Sequence, residues 1–469
     1  MTVAELRAFL ARELAPTPGR LGATLRVTLA CLVVTIPVFT FRIPHALIAF
    51  VVIYLITQED TALTVLGSVL GVAGVTLGIG AALLGWSIAL DLPVLRIAFF
   101  AAFLFGGLFL KRALTLGPLG SAIGLPGAMV SIAPDFVPPI PEVLLEFVLW
   151  LWFCAVLGVT VNLAIQLLLS PGDPLVLLRR ELDMRLRAVE EALERAAGRR
   201  TSPSDPTLAT LAIAGMTRPA AMLRTAALAH PWARERRERL SGLITVVDRL
   251  VTAARALELT TDGVPGEGSR VATGERDRLT RAAEGCRAIR QSFAQDRRPL
   301  PGEWTPLAGE RFGGGAAPLS DVERTLDEIA LPAPFLVPQP SGKPPLFLPD
   351  AFESPEYVRF ALKGTIAALI CYLLFVGFDY PGIYTCVITV FVVALSTVGA
   401  SNQKGVLRFG GAAVGGAIAL FSLMYLFPNV ESIAGFWLVF GGATAIAAWV
   451  NCGSPRISYG GYQIGLAFY

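Results

Sequence analysis

Long apolar segments dominate this chain and fall into two blocks. Residues 21–170 and 356–469 carry few charged side chains, whereas residues 178–350 are rich in Arg, Asp and Glu. Charged residues make up only 16% of the 469 residues, against about 25% in soluble domains. Two membrane-embedded blocks with a soluble segment between them explain this distribution better than one large globular domain.

The apolar blocks contain eleven candidate spanning segments, each of which we expect to be helical because backbone groups in lipid must be satisfied within the segment. The predicted spans are residues 21–41, 43–57, 62–86, 93–110, 114–133, 143–169, 357–377, 381–399, 405–427, 433–450 and 456–469. The final apolar stretch of about 13 residues covers only about 20 Å as a helix. We therefore expect the chain to be truncated at its C-terminus, with at least one further span in the complete protein.

Basic residues near the spans indicate the orientation, since Lys and Arg stay on the cytoplasmic side. With a cytoplasmic N-terminus, the inside holds Arg7, Arg12, Arg20, Lys111, Arg112, Arg179 and Arg180. The outside holds Arg42, Asp91, Asp135 and Glu142, with Arg96 near that face. We expect a multi-pass protein of the bacterial inner (plasma) membrane, with the N-terminus and residues 171–350 in the cytoplasm.

The predicted fold is therefore an all-α polytopic membrane protein with four regions. Residues 1–20 form a cytoplasmic amphipathic segment, residues 21–170 a bundle of about six helices, and residues 351–469 an incomplete bundle of about five. Residues 171–350 form a cytoplasmic helical domain. Its helices are predicted at 174–198, 206–230, 232–260, 273–296 and 319–330, with linkers at 299–318 and 332–350.

Several functional classes find no support in the sequence. A net charge of +3 is too close to neutral to indicate nucleic-acid binding, and two histidines without a CxxC pair indicate no metal site. The chain has no Walker A, HExxH or GxSxG motif. We expect neither an enzyme nor a cofactor-binding protein.

The two apolar blocks share an internal repeat. Residues 24–33, TLRVTLACLV, align with residues 361–370, ALKGTIAALI, so that Arg26 matches Lys363 at an offset of 337. The same offset brings Pro44 onto Pro381. After an insertion, the small-residue pair Gly67 and Gly71 is predicted to match Gly411 and Gly415. Duplicated bundles in the same orientation are one of the two symmetries found in transporters.

Residues 357–418 carry a family resemblance in the segments YVRFALKGTIAALICYLL, YPGIYTCVITVFVV and QKGVLRFGGAAVGGAI. The chain resembles the fusaric acid resistance (FUSC) family, which includes p-hydroxybenzoate, or aromatic carboxylic acid, efflux proteins. The resemblance implies two six-span bundles around a soluble region. It also implies export of aromatic or other weak organic acids, in some relatives together with a periplasmic membrane-fusion subunit.

Basic residues within the spans are candidate anchors for a carboxylate. Arg26 and Lys363 lie at matching positions of the two blocks, and Arg408 lies one turn beyond Lys404. An organic-acid exporter needs such positive charge, because an unpaired anion is costly in the membrane. The alternative is that these side chains extend to the cytoplasmic headgroups.

Uncharged and acidic residues in or beside the spans supply further candidates for substrate binding and proton coupling. Tyr384 and Thr389 are predicted to contact an aromatic substrate, or to pack in the core. Glycine and proline residues occur within the fifth and eleventh spans, among them Gly124, Pro126 and Gly461. They are predicted either to line a substrate-binding site or to allow close helix packing. Glu59 and Asp60 are candidates for proton coupling, or are solvated loop residues.

These patterns leave three functional hypotheses. The first is a secondary active exporter of organic acids, the second an anion channel resembling the plant malate channels, and the third a non-transporting membrane scaffold or sensor. The expected partners are the lipid bilayer, an organic-acid substrate, a periplasmic membrane-fusion subunit and a second copy of the chain.

Overall fold

A computed structural model shows that the protein is built from helices. It describes residues 3–16, 19–57, 61–169, 174–199, 207–262, 273–294, 317–330, 346–379, 384–395 and 397–469. The predicted acids Glu59 and Asp60, residue Pro381 of the repeat and most of the predicted linkers lie outside these ranges. The chain divides into two compact units, one formed by Met1–Pro171 with Gly342–Tyr469 and the other by Gly172–Ser341.

The first unit contains an N-terminal helix and eleven apolar helices. They are α1 (Val3–Glu13), α2 (Arg20–Phe41), α3 (Leu47–Ile56), α4 (Thr61–Ala89), α5 (Pro93–Ala113), α6 (Gly117–Ser131), α7 (Pro141–Leu169), α15 (Pro355–Gly377), α16 (Thr385–Val393), α17 (Val398–Phe421), α18 (Ile433–Asn451) and α19 (Ser458–Phe468). Within the described residues, seven of these helices are long and apolar enough to cross a membrane. The protein is an all-α polytopic membrane protein.

Four of the predicted spans form shorter helices than the sequence suggested. Helices α3, α6, α16 and α19 contain 10, 15, 9 and 11 residues, and a 10-residue helix covers only about 15 Å of a core about 30 Å thick. Helix α3 begins late because Arg42 and His45, on either side of Pro44, have positive φ angles of 51° and 57°. These short helices leave helix ends, with their unpaired backbone groups, beside longer neighbours.

Contacts between helices repeat from one apolar block to the other. In the first block α6 packs against α4 and α5, and in the second α19 packs against α17 and α18. The two blocks also pack against each other, because α2 packs on α18 while α15 packs on α5. Both contacts join the first spanning helix of one block to the fourth of the other, which is the arrangement that a duplicated bundle predicts.

Glycines mediate the repeated contact between the third and fifth helices of each block. Gly411 and Gly415 lie against the backbone of α19, and a Cβ atom on Gly411 would lie 2.6 Å from a carbonyl oxygen there. On α4 the corresponding residues are Gly74 and Gly78, and a Cβ atom on Gly74 would lie 2.6 Å from Cβ of Ala122 on α6. Only glycine allows these helices to approach so closely.

The predicted match of Gly67 and Gly71 with Gly411 and Gly415 is wrong. Gly67 has open space around its Cα atom, and the nearest atom to a Cβ on Gly71 is a methyl group 3.6 Å away. The packed glycines of α4 instead keep the offset of 337 that relates Arg26 to Lys363. The repeat therefore runs through the third helix without an insertion.

The second unit is a helical bundle. Its helices are α8 (Pro174–Ala196), α9 (Leu208–Ala214), α10 (Thr217–Ala229), α11 (Pro231–Glu235), α12 (Arg237–Asp262), α13 (Thr273–Ala294) and α14 (Ala317–Ala330). The helix predicted at 206–230 is divided by Gly215, which has a φ of 58°. Leucine, valine and alanine side chains from α8, α12, α13 and α14 form the apolar core.

A buried arginine joins three parts of this bundle. Arg185 on α8 is 2% exposed, pairs with Glu181 at 3.1 Å and lies 3.6 Å from the carboxylate of Asp248 on α12. It also donates a 2.7 Å hydrogen bond to the carbonyl oxygen of Gly215. Removing such a partner from a buried network costs about 3–5 kcal/mol, because a buried charge is left uncompensated.

A second network lies around Glu258 on α12. Burial alone would raise the pKa of Glu258, but hydrogen bonds from Arg255 at 2.7 Å and Arg195 at 2.8 Å lower this pKa below its usual value. Both arginines favour the ionised carboxylate. The network therefore stabilises the bundle only while Glu258 is charged.

Candidate functional site

Arg26 forms the centre of a polar cluster among the apolar helices. It lies on α2, and its Nε donates a 2.8 Å hydrogen bond to Oε1 of Gln166 on α7. Gln166 is only 3% exposed. The guanidinium has no carboxylate partner among the described residues.

Gln166 presents an unused donor beside this charge. Because an arginine can only donate, the amide oxygen of Gln166 must face Arg26, and this orientation fixes the position of the amide nitrogen. That nitrogen is buried and has no hydrogen-bond partner within the described ranges. An unpaired buried N–H costs about 1–3 kcal/mol, and an anion that accepts hydrogen bonds would satisfy it.

Asn162 lies one turn before Gln166 on the same face of α7 and is fully buried. Its side chain lies 3.0 Å from the hydroxyl of Thr57, which also donates to the carbonyl oxygen of Ile53. Since the hydroxyl has one hydrogen, either the amide oxygen or the amide nitrogen of Asn162 faces it, and the other has no hydrogen-bond partner among the residues described. We refer to Arg26, Gln166, Asn162 and Thr57 as the Arg26 site.

Lys363 does not join Arg26. It is exposed on α15, and the two helices have different neighbours, since α2 packs on α3, α7 and α18 while α15 packs on α5 and α16. In the part of the chain that the structure describes, no helix of the second block packs on α15 as α7 packs on α2. The sequence match therefore does not bring the two basic residues into one site.

Arg408 belongs to a second polar cluster, between α17 and α19. It donates a 3.1 Å hydrogen bond to the hydroxyl of Tyr459, which also accepts a 2.8 Å bond from Gln463. The ammonium of Lys404 lies 4.7 Å from the centre of the Tyr459 ring. This arrangement holds two positive charges beside a half-buried tyrosine. Carboxylate binding by Arg408 stays a prediction.

The remaining predicted contacts are mainly with the protein itself. The Tyr384 ring stacks on Phe136 with centroids 4.9 Å apart, and the Thr389 hydroxyl donates to the backbone of its own helix at 2.8 Å. Gly124 lies against the backbone of α5, and Gly461 against that of α18. Pro126 lies inside the continuous helix α6. These contacts support the packing alternative for the two glycines, while substrate binding by any of these residues stays a prediction.

Lys111 has a role that the sequence did not indicate. Its ammonium donates 3.0 Å hydrogen bonds to the carbonyl oxygens of Phe391 and Ala394, where the short helix α16 ends. A positive charge at the C-terminus of a helix satisfies unpaired carbonyl groups and opposes the negative end of the helix dipole. Lys111 therefore fixes the end of a helix from the other block.

A third cluster contains the ion pair of Arg96 and Asp135. The two side chains are 3.2 Å apart and only 13% and 16% exposed. The hydroxyl of Tyr372 donates a 2.9 Å hydrogen bond to the other oxygen of Asp135. Sequence analysis assigned Asp135 to an outside loop. It could not predict the contact with Tyr372, because the distance between Asp135 and α15 cannot be derived from the sequence.

Comparison with known proteins shows similarity along the full chain. No protein-family model matches it. The chain is 28% identical to the multidrug resistance protein MdtO of Escherichia coli strain K12 over 477 residues, and 28% identical to MdtO of Shigella flexneri over 474 residues. Both alignments cover all of this chain, which spans 66% of the length of these relatives.

Proposed function

We propose that the chain is a secondary active efflux transporter of the bacterial inner membrane that exports aromatic or other weak organic acids. The observation that carries the proposal is the Arg26 site among the apolar helices. In the part of the chain that the structure describes, its guanidinium has no carboxylate partner and the adjacent amide nitrogen of Gln166 has no hydrogen-bond partner. Similarity to the MdtO proteins supports efflux as the activity. The resemblance to the fusaric acid resistance family supports carboxylic acids as the substrates.

The Arg26 site has the chemistry that a carboxylate requires on leaving water. Arg26 is six residues beyond the start of α2, which places it about 9 Å along the helix. Its guanidinium supplies charge and hydrogen-bond donors, and the Gln166 nitrogen supplies another donor. With the N-terminus in the cytoplasm, the site faces the compartment from which an exporter must collect its substrate.

Transport of radiolabelled p-hydroxybenzoate into inverted membrane vesicles tests the proposal. An acidic lumen is used, because passive distribution of a weak acid would favour the alkaline side. We expect Arg26→Gln to lower the initial rate at low substrate concentration at least 10-fold, since a charged hydrogen bond contributes about 1.5–3 kcal/mol. Lys363→Gln is the matched control and should stay within about twofold of the wild type, because Lys363 is exposed.

The alternatives give different results in the same vesicles. Flux that follows only the substrate gradient, with no dependence on the proton gradient, would indicate an anion channel. Absence of uptake across a panel of aromatic and aliphatic acids would contradict the proposal and favour a scaffold or sensor. We further propose a periplasmic membrane-fusion subunit and a second copy of the chain as partners, which co-purification from cross-linked membranes would test.

A further inference from the structure

Asp135, Arg96 and Tyr372 form a polar bridge between the two apolar blocks. Arg96 lies on α5, and Asp135 ends the short turn Ala133–Asp135 that follows α6. Tyr372 lies on α15 of the other block and is 5% exposed. One carboxylate therefore receives an ion pair from one block and a hydroxyl hydrogen bond from the other.

The equivalent contact on the opposite side of the repeat is a neutral hydrogen bond. Thr35 of α2 matches Tyr372 at the offset of 337, and its hydroxyl accepts a 3.0 Å hydrogen bond from the indole nitrogen of Trp437 on α18. Helices α2 and α18 pair as α15 and α5 do. The duplicated interface thus carries a carboxylate on one side and, among the described residues, a neutral threonine–tryptophan pair on the other.

The groups around Asp135 make its charge decisive for this bridge. Arg96 faces it from α5 and Tyr372 from α15, while Tyr384 at the start of α16 stacks on the neighbouring Phe136. In the described part of the chain, the Nε atom of Arg96 is buried without a hydrogen-bond partner, and the guanidinium pairs with the carboxylate of Asp135. Protonation of the carboxylate would remove both the ion pair and the charge-assisted hydrogen bond that hold α15.

We infer that Asp135 is the residue that carries the coupling proton, an inference that rests on the proposed export function. In the proposed orientation the bridge lies toward the periplasm. When this end of the transporter opens, the carboxylate of Asp135 takes one proton from periplasmic water and the bridge is released. When the periplasmic end closes, the carboxyl group of Asp135 gives its proton to water that enters from the cytoplasmic side, and the ion pair with Arg96 and the hydrogen bond from Tyr372 form again.

Two measurements on the full chain in proteoliposomes separate coupling from transport. Counterflow exchanges labelled for unlabelled p-hydroxybenzoate without a proton gradient, whereas uphill uptake requires one. For Asp135→Asn, which imitates the protonated carboxyl group, we expect uphill uptake to fall at least 10-fold and counterflow to change less than threefold. Equal loss of both activities, or uphill uptake near the wild-type rate, would overturn the assignment.

The pH profile of uphill uptake provides a second test that does not depend on Asp135→Asn folding. Arg96→Gln and Tyr372→Phe each remove a group that favours the ionised carboxylate, so both should shift the half-maximal point to higher pH, the arginine variant further. Trp437→Phe breaks the matched neutral bridge and should leave this point unchanged. An unshifted profile in both Arg96→Gln and Tyr372→Phe would overturn the inference. A wild type that shows neither counterflow nor uptake would instead refute the proposed function.

Discussion

Gln166 offers a test of the Arg26 site that separates a binding role from a structural role. The substitution Gln166→Glu replaces the unpaired amide nitrogen by a carboxylate oxygen beside Arg26. The variant thus carries in its own chain the group that the site is proposed to bind. We expect a protein that is more stable than the wild type and nearly inactive in export.

The size of the stability change follows from the contacts. The unpaired N–H costs about 1–3 kcal/mol, and the substitution removes it. The hydrogen bond from Arg26 Nε is already charge-assisted, because the arginine is ionised, and in the variant it becomes part of an ion pair. The desolvation of the new charge opposes these gains, although Arg26 compensates it. The expected net gain is about 1–3 kcal/mol in the free energy of unfolding.

Thermal denaturation of the detergent-solubilised protein, with and without p-hydroxybenzoate, measures both effects. Ligand at 100 times its dissociation constant should stabilise the wild type by about 2.7 kcal/mol and leave Gln166→Glu unchanged. In the double variant Arg26→Gln/Gln166→Glu the gain in stability should disappear, because the new carboxylate has lost its cation. A destabilised Gln166→Glu protein, or one that still exports the acid within threefold of the wild type, would refute the reasoning.

Three further predictions concern packing and the soluble unit. Gly78→Ala should destabilise the membrane unit by about 1–3 kcal/mol through overpacking against α6, whereas Gly67→Ala should have little effect. Thermal denaturation measures the stability of the two variants. Glu258→Gln should destabilise the soluble unit at pH 7. Because the pKa of Glu258 is lowered on folding, its contribution to stability is present above the usual pKa of 4.5 and is lost as pH falls through the lowered pKa. The denaturation curves of the variant and the wild type should therefore converge in acid. Arg185→Met should destabilise the same unit by about 3–5 kcal/mol, measured as faster hydrogen exchange in α8 and α12.

The apolar pattern predicts the order and approximate limits of the membrane helices, because long apolar segments have few alternatives in lipid. It does not predict where α3 begins or where α16 ends. Those limits depend on left-handed residues such as Arg42 and on contacts such as that of Lys111 with the end of α16. Such contacts join residues that are far apart in sequence, so composition alone cannot reveal them.

The candidate site was predictable only in part, for the same reason. Arg26 could be identified because a basic residue inside an apolar helix is costly and needs an explanation. Its partner Gln166 is 140 positions away and becomes visible only once α2 and α7 are packed together. The distribution of Lys and Arg placed Asp135 in an outside loop but could not show its partners, and Tyr372 gave no signal before α15 was known to pack on α5.

The two halves of the repeat differ in a systematic way. Glycines that allow close helix contact occupy matching positions, as Gly78 and Gly415 do. Polar residues at matching positions have different surroundings, since Arg26 contacts a buried amide whereas Lys363 is exposed. Close packing is needed on both sides for the bundle to assemble. The Arg26 site and the Arg96–Asp135 ion pair lie in the first half, and the second half adds Tyr372 to that ion pair. The framework of helix contacts is therefore repeated in both halves, whereas these polar clusters draw mainly on the first.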